Sequence, residues 1–165
     1  GTCFSYACDS VTVTVDCSRG QTITQALKQG DSRKPLIVLV SGTCNEHVSI
    51  SRDDVTLRGV AGTEATVNGP DVRTDTIVIL KDTVNIEDLT VTGGFNGIRL
   101  QGPSYAGVKN VYVRNTANNG IVVRAGDIAA RQRGEEGLTA GGVVEALPAA
   151  IESVRRSAGG GASAT

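Results

Sequence analysis

Short apolar–x–apolar triplets return about every 22 residues through the middle of this 165-residue chain, and this periodicity limits the fold more than any other feature. Leu89-Thr90-Val91 aligns with Val111-Tyr112-Val113 at an offset of 22, and Gly97-Ile98-Arg99-Leu100 aligns with Gly120-Ile121-Val122-Val123 at an offset of 23. Ile86 and Val108 pair at 22, and Ile77 and Ile79 precede Ile98 and Leu100 by 21. Val55-Thr56-Leu57 and Ala65-Thr66-Val67 supply an earlier unit, lengthened by the insertion Gly69–Asp75.

A triplet with apolar ends sends two side chains to one face of a strand and the middle one to the other. Such triplets cannot close a core alone. Stacked on similar coils at about 4.8 Å, they make a continuous inner column and parallel sheets along the stack. The middle residues Thr56, Thr66, Thr90, Arg99, Tyr112 and Val122 then face outward. Asn96 and Asn119 hold the same place before Gly97 and Gly120, where stacked amides can form a ladder. A β-sandwich is the competing architecture, but it gives no reason for matching turn residues at a fixed offset.

Composition agrees with a thin, β-branched interior. Val, Ile and Thr supply 48 residues, whereas there are 2 Phe, 3 Tyr and no Trp or Met. With 16 basic and 17 acidic side chains, the chain lacks the charge excess that binding to nucleic acid or an anionic membrane requires. The longest apolar run, Leu36–Val40, is far too short for a membrane span.

All four cysteines, Cys3, Cys8, Cys17 and Cys44, fall in the first 44 residues without a C-x-x-C pair. A zinc site is poorly spaced, and two disulfides in an exported protein are the better reading. Four cysteines allow three pairings. Cys17 and Cys44 each end a β-like run, where neighbouring strands bring Cα atoms within bridging range, so Cys17–Cys44 with Cys3–Cys8 is preferred.

The stretch Val15–Leu27, followed by Ile37–Ile50 with its Gly42-Thr43-Cys44-Asn45-Glu46-His47-Val48 core and by Asp54–Gly59, resembles the opening of a parallel β-helix of the pectin-lyase-like superfamily. The resemblance covers about residues 11–127. It implies an all-β, right-handed, single-stranded parallel β-helix of about four to five coils with a short N-terminal capping helix. Domain organisation then reads as a disulfide-stapled segment and first strand (1–20), the β-helix (21–127) and an alanine-rich tail (128–165). In the tail, Val144, Leu147, Ile151 and Val154 make an amphipathic helical stripe interrupted by Pro148, before a Gly-rich end that should fray. This helix would cap the open end of the solenoid or, through the tail or that open end, build a homo-oligomer.

For chemistry, lyases of the resembled superfamily imply calcium held by outer-face carboxylates beside an Arg or Lys base. Asp71, Asp75, Asp82, Glu87 and Asp88 are the acidic candidates, with Arg73, Arg99 and Arg124 as partners. Asp71, Arg73 and Asp75 share the insertion and are the catalytic candidates; Asp82 and Asp88 are the metal candidates. All are also ordinary turn residues. Glu87-Asp88 is a poor acid/base couple because strand neighbours face opposite ways. His47 has no serine or cysteine triad and reads as a surface turn residue. Phe95, Tyr105 and Tyr112 fall on consecutive coils as a possible saccharide-stacking patch. The expectation is a secreted or cell-surface β-helix module without catalysis or cofactor, contacting polysaccharide. The alternative is a calcium-dependent polysaccharide lyase, a glycoside hydrolase or another carbohydrate-active enzyme, or the front end of one.

Overall fold

A computed structural model describes residues 9–101 and 106–123, together with the backbone of three short strands at 131–133, 137–139 and 144–146. Strands β1 (Val11–Asp16), β2 (Leu36–Ser41), β5 (Val55–Gly59), β8 (Val84–Glu87) and β11 (Ala106–Lys109) form one sheet in that spatial order, with Val144–Ala146 beside β11. A second sheet stacks β3 (Thr43–Asn45), β6 (Thr66–Gly69), β9 (Thr90–Gly93) and β12 (Tyr112–Arg114). The third stacks β4 (Val48–Ile50), β7 (Ile77–Ile79), β10 (Ile98–Leu100) and β13 (Ile121–Val123). Each coil after the first contributes one strand to each sheet, the first contributing β1 alone, and the pairings within these three sheets are parallel, giving a β-solenoid of about 5 turns.

The register is the one the repeat predicts. Val91 lies against Val113, Ile98 against Ile121 and Ile77 against Ile98. Inward residues build continuous columns such as Cys44–Val67–Val91–Val113 and Val48–Ile77–Ile98–Ile121, all buried. Every rung covers the apolar face of the next, so burial along the columns is the main stabilising term.

Short connections between sheets require sharp corners. Asp88 and Asn110 occupy equivalent corners with φ of 55° and 51°, a conformation that Asp and Asn tolerate through local hydrogen bonding. Thr83 takes φ 60° at the turn before β8, where a β-branched side chain is strained. Gly97 follows Asn96 because the coil below is too close: a Cβ there would run into Val113 and Gly120.

The upper end is closed by α1 (Ile23–Ala26), the expected capping helix. Thr22 caps it locally, its hydroxyl accepting from the Gln25 N–H. Glu46, from the coil beneath, accepts from the N–H groups of Ile23 at 2.8 Å and Thr24 at 3.0 Å. The Arg52 guanidinium donates to the carbonyls of Leu27, Gln29, Asp31 and Lys34, gathering the segment that leaves the helix. Cys17 and Cys44 are disulfide-bonded, with Cα atoms 5.1 Å apart, tying the first strand's end to the second sheet. Cys3 and Cys8 lie outside the described residues, as does the expected tail helix apart from Val144 in its short strand.

Candidate functional site

The outer face of the second sheet carries a groove of about 560 Å³. Its floor follows from strand alternation: Val113 points inward, so Tyr112 and Arg114 point outward, and Tyr112 is in register with Thr90 and Thr66. The loop after β5, ending in Glu64, walls one side, and the corner residues Asp88 and Asn110 line another part. Asn110 Nδ2 donates to Asp88 Oδ1 at 2.8 Å, so the two corners are joined across the coils. Tyr112 is 44% exposed, and the Arg114 guanidinium carbon stands 5.4 Å from its ring centroid, within cation–π range. A phenol ring braced by a cation, beside amides, hydroxyls and carboxylates, can stack an apolar sugar face and bond its hydroxyls.

The other predicted aromatics do not join it. Phe95 is exposed in the turn beyond β9, at the opposite end from Thr90, and does not line the groove. Tyr105 lies outside the described residues.

The insertion candidates hold backbone. Asp71 Oδ1 accepts from the backbone N–H of Arg73 at 2.9 Å and from its Nε at 3.2 Å. These bonds, that to the backbone foremost, hold the Asp71 carboxyl below the usual carboxylate range. The same Asp-x-Arg turn is built by Asp31 and Arg33, where the Arg33 side chain foremost lowers the Asp31 pKa to about 2. Asp75 Oδ1 accepts from Asn96 N and Nδ2 at 3.1 and 2.8 Å, and its Oδ2 lies 3.7 Å from Arg99. Asn96 Oδ1 in turn accepts from Asn118 Nδ2 and Asn119 N, both at 3.1 Å. The side-chain partner of Asn96 is thus Asn118 and not the expected Asn119, which contributes its backbone N–H, and the ladder begins on an aspartate.

His47 is half-buried and not a surface turn residue. Its Nε2 accepts from the Asp71 N–H at 3.0 Å, which places the ring proton on Nδ1, 2.9 Å from the Asp75 carbonyl. One imidazole thus pins both ends of the insertion.

Asp82 and Asp88 stand at opposite ends of β8, about 13 Å of strand apart. Asp82 N donates to Asp53 Oδ1 at 3.0 Å. Glu87 Oε1 is 3.0 Å from Arg58 Nη2. Among the described residues, the one grouping of three metal-ligating side chains is Cys17, Cys44 and Glu46, whose two sulfurs are already bonded to each other. Arg124 lies outside the described residues.

The sequence marks Thr66, Thr90 and Tyr112 as outward, and the offset of 22 aligns Thr90 with Tyr112; the pairing of Thr66 with Thr90, 24 residues apart, is added by the structure. Glu64, Asn110 and Arg114 were missed; the outward positions two residues beyond Tyr112 and one coil below Asp88 were the available signals. The sequence matches no known protein family and no curated protein.

Proposed function

We propose that this chain is a secreted or cell-surface β-helix module that contacts polysaccharide without acting on it, through the groove beside Tyr112. The observation that carries this reading is an exposed aromatic ring set among hydrogen-bonding side chains in a concave surface of about 560 Å³. The Cys17–Cys44 bridge supports an oxidising compartment. Membership of the pectin-lyase-like superfamily and right-handed winding belong to the same proposal. They are supported by the resemblance of residues 11–127 and by the general handedness of crossovers between parallel strands. Support for binding over catalysis comes from the insertion, where Asp71, Arg73 and Asp75 are engaged in holding turns and ladder.

A soluble-polysaccharide and glycan array tests this. Binding by the wild type that Tyr112→Ala reduces by about tenfold or more fits the loss of one well-packed aromatic contact. Unchanged binding by Tyr112→Ala overturns the groove assignment. Formation of ultraviolet-absorbing unsaturated products from a polyuronate, dependent on calcium and abolished by chelator, would establish the lyase alternative instead.

A further inference from the structure

We propose that the groove selects uncharged, hydroxyl-rich saccharides and discriminates against polyuronates; this rests on the saccharide reading of the same site. The charged groups lining it are Glu64, Asp88 and Arg114. Four ion pairs of the described residues lie outside the groove: Arg33 with Asp31, Arg58 with Glu87, Arg73 with Asp71 and Arg99 with Asp75. None of these pairs involves a groove residue. Among the described residues Glu64 has no ion pair, and Asp88 is bonded through one oxygen to the neutral Asn110 amide. Arg114 sits over the Tyr112 ring and makes no ion pair among the described residues.

Two carboxylates against one guanidinium give the groove a local charge of −1. A uronate ring stacked on Tyr112 would bring a further carboxylate beside Glu64 and Asp88, and like charges at short range disfavour binding even in high dielectric. Hydroxyl groups meet no such penalty. They donate to the free carboxylate oxygens, in charge-assisted bonds, and accept from Arg114 and the Asn110 amide. The groove therefore uses its acids as acceptors for neutral sugars and as a barrier to acidic ones.

The test uses the full chain, with affinity electrophoresis and calorimetry in low salt plus chelator. The probes are soluble β-glucan, xylan and mannan on one side and polygalacturonate on the other. The expected result is at least one neutral polymer bound about tenfold or more tighter than polygalacturonate, a gap of about 1.4 kcal/mol. Neutralising the barrier with Glu64→Gln and Asp88→Asn together narrows that ratio several-fold by raising polygalacturonate affinity. Raised salt narrows it as well. Circular dichroism and thermal melting confirm that the double variant folds. Polygalacturonate bound as tightly as the best neutral polymer, or a ratio unchanged in the double variant, overturns the selectivity while leaving the groove reading intact. Binding of none of the four polymers overturns the groove reading itself, and the selectivity falls with it.

Discussion

Asn96→Ala is the substitution that best separates a stacked-coil account from a merely local one. Asn96 is 3% exposed and joins three successive coils. Its Nδ2 donates to Asp75 above, and its Oδ1 accepts from Asn118 Nδ2 and Asn119 N below, at 2.8, 3.1 and 3.1 Å. Truncation removes all three bonds but keeps the Asn96 N–H on Asp75. Each bond contributes about 1 kcal/mol net, more where a carboxylate accepts, and the Asn119 N–H is left without its acceptor. The expected loss is about 3 kcal/mol in urea-induced unfolding. The exposed neighbour Asn118→Ala, which removes only one of these bonds, should lose about 1 kcal/mol or less. Hydrogen exchange supplies the decisive reading, because Asn96→Ala should deprotect the Asn119 amide, one coil away. A loss below about 1 kcal/mol with Asn119 protection unchanged would refute the ladder as a structural element.

Other consequences follow from the same geometry. Glu46→Ala removes the carboxylate that caps α1 from the coil below and should cost about 1–2 kcal/mol, with exchange rising first at the Ile23 and Thr24 amides. Thr83→Asn relieves a β-branched residue at φ 60° and should stabilise the fold by about 1 kcal/mol; a lowered urea midpoint would contradict the strain assigned there. The Asp31 and Asp71 turns should be lost on acidification, since each carboxyl is held below its ordinary pKa of 3.8 in the folded chain. Their contribution is present above that value and disappears as pH falls through the folded one, about 2 for Asp31. Carboxyl chemical shifts that titrate at ordinary values would contradict the turn assignment.

Much of the fold was legible because the physics is one-dimensional. When each coil contacts its neighbours along the axis, an offset between Val91 and Val113 in sequence is already a statement about a pair in space. This correspondence is lost where the period stretches. Val48 stacks on Ile77 across the insertion at 69–75, and no constant offset reveals that pairing. The roles of Glu46, His47 and Arg52 were hidden for a related reason: each serves a segment from another coil, and only the assembled stack shows which one. The site was half readable. Alternation along β12 placed Tyr112 outside, but whether a loop rises beside it depends on the path of residues 60–64, which carry no repeat.

The central claim is that the coils stack in parallel register, with Val67, Val91 and Val113 in one buried column. Methyl-to-methyl nuclear Overhauser contacts in the folded protein test it most directly. Cross-peaks from Val91 to both Val67 and Val113, and from Ile98 to both Ile77 and Ile121, are the predicted result. Cross-strand contacts that instead place β9 antiparallel to its neighbours, with Val91 away from Val113, would contradict it.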